Sequence, residues 1–381
     1  MPTGPETSLS PRRPQILFYG TYDAKAHPRV QVVIDGLRSH GLEVVECNVP
    51  LGLGTQARVA LLAKPWTAPL FVIRLLSRWV ALWRQGRTYR DADVVLVPYM
   101  GHFDVHLARR RFRRTPIVLD YFISGSDTAK DRNVSNPVVD RVLTMVDHAA
   151  LKAADVAMVD TDEHLRLMPD WAHGKGLVVL IGASDEWVAP SRPAYDGTRP
   201  LKVIFFGLFT PLQGSITIGR ALGQLADDEN VEVTMAGDGQ DLLAAQEAAT
   251  ANPRVEWKGL VPSEQMPSLC AEHDVCLGIF ADNPKGMRVV PNKVYQGIRA
   301  GCAIVTSDTR PQRRTLGDLA VYVAPADPTA LAGALRGLAA DPARVAALQA
   351  ASRSAAARFG PAGVVGDLVA RVEAIGTRVS G

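Results

Sequence analysis

Short apolar runs alternate along this chain with longer stretches in which apolar positions recur every three or four residues. The runs suit buried strands and the longer stretches suit helices that cover them, a pattern that predicts parallel sheets flanked by helices. In the first half the predicted strands are Gln15–Tyr19, Glu43–Cys47, Asp93–Val97, Pro116–Asp120, Asp155–Val159 and Leu177–Ile181, with helices such as Val30–His40 and Thr161–Leu167 between them. Pro190, Pro193, Gly197 and Pro200 then break the pattern and mark a linker. A second alternation follows, with strands at Leu201–Phe206, Val231–Ala236, Val255–Lys258, Val275–Phe280 and Ala303–Thr306. Its helices are Ser215–Leu225, Asp241–Thr250, Ser263–Glu272 and Pro291–Arg299, and an Ala-rich helical stretch runs from Pro328 with breaks near Pro342 and Pro361.

The expected organisation is a disordered tail (1–14), a first domain (15–190), a linker (191–200), a second domain (201–358) and a C-terminal helix (359–381) that packs back on the first domain. The fold class is α/β, with two Rossmann-like, doubly wound parallel-sheet domains facing a cleft. In such sheets ligands bind beyond the carboxyl ends of the strands, where loops and helix N-termini converge.

Composition narrows the function classes. The net charge of +3 offers no basis for a nucleic-acid partner. The first fourteen residues are rich in Pro, Ser and Arg and lack the apolar core of a signal peptide. Cys47, Cys270, Cys276 and Cys302 lack metal-type spacing, and Cys276 falls in a predicted buried strand, so they read as free core thiols in a reducing cytoplasm. From Arg58 to Arg90, Trp66, Trp79 and Trp83 alternate with Arg74, Arg78, Arg84 and Arg87. This is either a core-packing helix with snorkelling arginines or a helix lying in a membrane interface. The second reading places the protein peripherally at the inner face of a membrane and makes the acceptor lipid-linked.

The segment from Asp282 to Asp308 carries the most chemistry. A polar loop leads into a helix that starts near Pro291, a residue suited to a first helical turn. Free N–H groups there favour an anion, and Lys285, Arg288 and Lys293 surround the same place, which suggests a diphosphate site; solvated loop charges are the alternative. Gly301 closes the helix.

This stretch resembles the nucleotide-binding signature of family-four retaining glycosyltransferases, which have the B-type (GT-B), twin-Rossmann fold. There, two glutamates eight residues apart precede an alanine, a glycine and an apolar strand. Aligned on Gly301, the glutamates fall on Arg288 and Gln296, and Pro291-Asn292-Lys293-Val294-Tyr295-Gln296 is similar to a branch that uses glutamine at the second position. The resemblance implies that Gln296 holds the ribose hydroxyls. It also implies that the residue at Arg288 faces the donor sugar, where arginine would clamp the diphosphate or read a sugar carboxylate. The family often carries an arginine and a lysine in the loop after the first strand of the second domain; here those positions are Leu208 and Gln213. Phosphate charge would then fall to backbone N–H groups near Gly214 and to Lys285, Arg288 or Lys293.

Other positions follow from strand ends. Gly207, Gly237 and Asp238 lie in turns that the resemblance places near the donor, with plain tight turns as the alternative. The resemblance implies that Gly20 and Thr21, at the end of the first strand, face the donor diphosphate. It also implies a histidine or aspartate against the donor sugar at the end of the fourth strand, for which Asp120 and Asp127 are the candidates, with helix caps as the alternative. His27 and His102 would line the acceptor side, with a capping or solvent role as the alternative for His27. Asp160-Thr161-Asp162 matches an Asp-x-Asp metal motif in letters but reads as a strand-to-helix cap.

The implied activity is transfer of a sugar from a nucleoside-diphosphate sugar to an acceptor hydroxyl, with retention and without metal or other cofactor. An inactive nucleotide-sugar-binding subunit and a sugar-nucleotide epimerase or hydrolase are the rivals.

Overall fold

The computed structural model describes residues 13–24, 27–52, 68–122, 137–190 and 193–376. The first sheet is built from β1 (Gln15–Gly20), β2 (Glu43–Asn48), β3 (Val94–Val97), β4 (Ile117–Asp120), β5 (Val156–Val159) and β6 (Gly176–Val178). Its helices are α1 (Pro28–Ser39), α2 (Ala68–Gln85), α3 (Asp104–Arg111), α4 (Pro137–Ala153) and α5 (Asp162–Leu167). The second sheet holds β7 (Leu201–Leu208), β8 (Val231–Asp238), β9 (Val255–Lys258), β10 (Val275–Leu277), β11 (Ala303–Ser307) and β12 (Ala320–Val323). Around it lie α6 (Ser215–Gln224), α7 (Leu242–Ala248), α8 (Met266–Ala271), α9 (Asn292–Arg299), α10 (Arg310–Leu316), α11 (Pro328–Ala339) and α12 (Pro342–Ala355). Two last helices are α13 (Pro361–Val364) and α14 (Gly366–Gly376).

Both sheets are six-stranded and parallel, in the orders β2-β1-β3-β4-β5-β6 and β12-β11-β10-β7-β8-β9. Strands β3, β4 and β5 are buried at every residue, as expected where helices cover both faces and the sequence is a near-continuous apolar run. The order reverses beside β1 and again beside β7, so each sheet has a switch point next to its first strand. Crevices for ligands open at such points.

Local signals start the helices. Asp327 and Asp341 accept the N–H groups of Ala330 and Arg344 ahead of Pro328 and Pro342, so each of these helices begins with an aspartate cap and a proline. The C-terminal segment returns to the first sheet: Val364, Val365, Leu368 and Val372 share a core with Ile16, Phe18 and Val94.

Several boundaries differ from the sequence expectation. Pro14 is buried and Arg13 donates to the His40 carbonyl, so these two residues of the expected tail pack on the first domain. Strand β10 stops at Leu277 because the next residues turn to bond elsewhere: the Phe280 N–H donates to the Gln213 carbonyl at 3.0 Å. Helix α9 begins at Asn292 with Pro291 as its extended N-cap residue. Strand β12 and helix α10 were not expected from the pattern; four and seven residues are too short for a period to emerge.

Candidate functional site

The carboxyl end of β7 leads through Phe209 and Thr210 into a 3₁₀ turn (Pro211–Gln213) and then α6. Gly214 joins them in the left-handed region (φ 67°, ψ 34°), where a Cβ would stand 2.6 Å from the Phe280 carbonyl carbon. Beside this turn, β7 and β8 pair through Gly207 and Gly237, and a Cβ on Gly237 would stand 1.9 Å from the Gly207 oxygen. The adjoining Asp238 carboxylate accepts the Gly239 N–H at 2.7 Å. The glycines are thus required by backbone packing. They also leave the next-to-last position of each strand without a side chain, ahead of the exposed Leu208 and Asp238.

Helix α9 faces this turn. Lys293, only 5% exposed, extends to Gln213, and its Nζ donates to Oε1 at 2.6 Å. The same ammonium sits 3.6 Å from the centroid of the Phe205 ring. Burial pulls its pKa down to about 7, with the Cys276 thiol acting in the opposite direction. The half-buried Gln296 lies one turn further along α9 and Asn292 is exposed at its start. No side chain caps α9. The Ser215 hydroxyl, fully buried at the first turn of α6, has no hydrogen-bond partner among the described residues.

The loop before α9 is tied to the first domain. The Arg288 carbonyl accepts from the Thr161 hydroxyl at 2.9 Å, while its Nε donates to the Pro284 carbonyl at 2.7 Å. Lys285 is half-buried at the start of the short turn Gly286–Arg288. A second tie runs from α10 to α5, where Arg314 grips both Glu163 oxygens (3.0 and 2.8 Å) and Asp162 (2.8 Å). Burial raises the Glu163 pKa, but the Arg314 hydrogen bonds and charge outweigh it and leave it below the usual glutamate value.

The first domain revises two sequence candidates. Thr21 is occupied: its N–H and hydroxyl both donate to Asp104 Oδ2, at 2.7 and 2.8 Å, and Trp79 Nε1 donates to Oδ1 at 2.8 Å. Gly20 and Thr21 are buried, and Asp104 holds this turn in place. Asp120 is occupied too. It is 2% exposed and accepts Arg29 Nε with both oxygens at 3.1 Å, and Arg29 Nη1 donates to the Val179 and Leu180 carbonyls. Burial pushes the Asp120 carboxyl up and Arg29 opposes the shift. Both oxygens of this enclosed carboxylate are thus engaged by Arg29. Asp127 lies outside the described residues, as do residues 58–67 of the basic, aromatic segment.

His27 meets the Tyr99 ring edge-on at 4.6 Å, Tyr99 meets Phe122 at 5.5 Å, and Arg29 lies 5.1 Å from the Phe122 centroid. These side chains join the loops after β1, β3 and β4. His102 Nε2 lies 3.4 Å from Asp147 Oδ1, which ties the β3–α3 connection to α4. Asp160 is buried and bonded to His164 Nδ1, Thr161 caps α5, and Asp162 pairs with Arg314 of the second domain, so each residue of the Asp-x-Asp letters is engaged within the protein. Among the described residues no three His, Cys, Asp or Glu side chains group as a metal site. All four cysteines are free and buried.

Sequence reasoning missed Asp104, Arg29 and Arg314. Asp104 opens α3, the one local signal available. The partners of Arg29 and Arg314 lie 91 and 151 residues away, where no spacing rule reaches.

The outer side of the first domain is apolar and basic. Helix α2 buries Leu75 and Leu82 inward yet exposes Leu70 (72%), Ile73 (64%), Leu76 and Val80 outward, so it is apolar on both faces. Exposed Val138, Val142 and Met145 of α4 and Phe103 continue this strip. Beyond it, a groove of about 470 Å³ is lined by Trp83, Arg90, Arg110, Arg111, Arg113 and Arg114. Residues 68–122 hold ten arginines against four aspartates and no lysine or glutamate, a net charge of +6. No helix among the described residues is long and apolar enough to cross a membrane.

Comparison with known proteins bears on the second domain first. Residues 200–341 match the family described as Glycosyl transferases group 1. No curated protein matches the sequence. Among solved structures, sucrose-phosphate synthase from Thermosynechococcus elongatus is similar at 15% identity and TM-score 0.69, covering 95% of this chain and 100% of that one. The UDP-forming α,α-trehalose-phosphate synthase from Burkholderia vietnamiensis follows at 15% identity and TM-score 0.65, covering 97% and 99%. HepE of Anabaena, solved in complex with UDP-glucose, is 13% identical with TM-score 0.63, covering 97% and 98%. At these identities the likeness establishes architecture alone: the chain has the GT-B fold, and its segment 200–341 carries the match to the group 1 glycosyl transferases.

Proposed function

We propose that this protein is a retaining glycosyltransferase that transfers a sugar from a nucleoside-diphosphate sugar to an acceptor hydroxyl without a metal ion or other cofactor. The observation that carries the reading is the seat formed by Gly207 and Gly237 near the ends of β7 and β8, the Gln213–Gly214 turn and Lys293 of α9, within the segment that matches group 1 glycosyl transferases. The diphosphate would lie against this turn, with Gln296 toward the ribose and Lys285 and Arg288 toward the phosphates. Departure of the nucleoside diphosphate builds negative charge on the leaving oxygens. Fixed cations and helix N–H groups stabilise that charge as it forms, as oxyanion donors do. Asp127 is kept as the candidate carboxylate toward the donor sugar. Asp120 and Thr21 hold the first-domain loops in place.

The test is a melting-temperature screen of UDP, GDP, ADP and their sugars, followed by product analysis by NMR. A specific ligand raises the melting temperature by mass action. Transfer to an acceptor with the anomeric configuration kept, undiminished by EDTA, is the expected result. Free sugar or an epimerised donor as sole product would support the hydrolase or epimerase instead, and binding without turnover the inactive subunit.

The acceptor would approach from the first domain, past His27 and His102. The apolar strip of α2 and α4 beside the arginine groove fits the surface of an anionic bilayer, where apolar side chains enter the acyl boundary and arginines meet headgroup phosphates. This favours a lipid-linked acceptor and a peripheral, cytoplasmic-face location. Co-sedimentation with vesicles holding phosphatidylglycerol, and not with pure phosphatidylcholine, is expected. Loss of that binding in Ile73→Glu/Leu76→Glu would tie it to α2, and equal recovery in both vesicle types would refute the idea.

A further inference from the structure

We infer that Lys293 is the charge-reading residue of the donor site, replacing from α9 the cation that the Gln213 turn lacks, and that it takes up a proton when a diphosphate binds. The inference rests on the nucleotide-site reading above.

The geometry comes first. Gln213 occupies the loop position where the family resemblance implies lysine, and Lys293 Nζ lies 2.6 Å from its side-chain oxygen. The amine has therefore reached the same spot from the opposite wall. It also lies close beneath the surface. Gly207 is exposed, and a Cβ there would stand 3.5 Å from Nζ, so one missing side chain separates the ammonium from the strand-end surface. Any residue larger than glycine at 207 would begin to screen it.

The surroundings suit a neutral amine better than an ammonium. A lysine ammonium carries three donors. Among the described residues, Gln213 Oε1 is the acceptor for Nζ and the Phe205 ring covers another side. Cys276 of β10 is the titratable group that faces Lys293, and β7 and the turn present Phe205, Gly207 and Gln213, none of which titrates. Burial outweighs the opposing effect of Cys276, and the pKa falls to about 7. A pKa lowered by burial leaves such a side chain largely neutral at pH 8.

A diphosphate supplies the missing counter-charge. Its oxygens would accept from Nζ, restore the ordinary lysine pKa, and draw one proton from solvent onto the nitrogen. A nucleoside without phosphate would not. The site would thus discriminate by charge, and the protonated lysine would be in place when the leaving diphosphate gains its charge.

The experiment is isothermal titration of the full chain at pH 8 with UDP, ADP and GDP, in HEPES and in Tris. The difference in enthalpy between buffers reports protons exchanged, and no variant is needed. For whichever nucleotide binds, uptake approaching one proton is expected at pH 8, falling toward zero near pH 6.5, with no uptake for the matching nucleoside. Lys293→Met, whose buried apolar chain keeps the fold, should lose the uptake and weaken binding about 10- to 100-fold, the effect of one charge-assisted hydrogen bond. Gln213→Lys added to Lys293→Met should recover affinity without proton uptake, because a loop lysine is solvated. Tight binding with no proton exchanged at pH 8 would overturn the inference and leave the nucleotide site standing. Binding of none of the three nucleotides would overturn the site itself.

Discussion

Replacing Asp120 by asparagine separates a structural carboxylate from one that acts on the sugar. The pair it forms with Arg29 is nearly sealed, with both side chains under 5% exposed, and it joins α1, β4 and the carbonyls that follow β6. Asparagine keeps the shape but removes the charge, which leaves a guanidinium buried without its counter-ion. Breaking such a pair from one side costs about 3–5 kcal/mol. At about 2–4 °C per kcal/mol for a domain of this size, the first domain should melt roughly 6–20 °C lower. Arg29→Met should destabilise at least as much, since the Val179 and Leu180 carbonyls also lose their donor. The double variant Arg29→Met/Asp120→Leu should be less unstable than the two single changes sum to, by about 1–3 kcal/mol, because no unpaired charge remains. Thermal and urea unfolding of the four proteins measures this cycle. Asp120→Asn melting with the parent while losing all transfer would refute the argument, because it would place the carboxylate in the chemistry.

Three other perturbations follow from the same geometry. Asp104→Ala strands three donors, the Thr21 N–H, the Thr21 hydroxyl and Trp79 Nε1, and should cost about 2–5 kcal/mol and shift tryptophan emission to longer wavelength; unchanged melting and fluorescence would contradict it. Gly214→Ala puts a Cβ within 2.6 Å of the Phe280 backbone at φ 67°, so stability should fall by more than about 1 kcal/mol and nucleotide affinity should drop with it; nucleotide binding equal to the parent would count against the turn as part of the site. The Arg314–Glu163 tie holds the Glu163 pKa below its ordinary 4.5, so its stabilisation is present at neutral pH and is lost as pH falls through the folded value. Arg314→Ala should therefore lower the melting temperature slightly at pH 7, within about 1 kcal/mol because Arg314 is half-exposed, and not at pH 3; a gap that widens in acid would reverse the sign and the explanation.

Sequence by itself determined the two alternations of strand and helix, because burial on both faces forces apolar runs such as Val94–Val97 and Val156–Val159. It placed helical sequence from Pro328 with a break near Pro342, because proline suits a first helical turn and cannot continue a preceding one, and the structure adds the caps of Asp327 and Asp341. It also located the Asp282–Asp308 segment, since loop charges and a helix start are local features. Tertiary structure decided how each candidate is used. Asp120 and Thr21 look available in a string of letters and become occupied only when Arg29 and Asp104 arrive from 91 and 83 residues away. Lys293 looks like one loop cation among three until folding carries it under Gly207 and against Gln213, where burial, a long-range property, alters its charge. Spacing can encode which faces are apolar, but the dielectric and the partner around a side chain are set by chain segments that no local window contains.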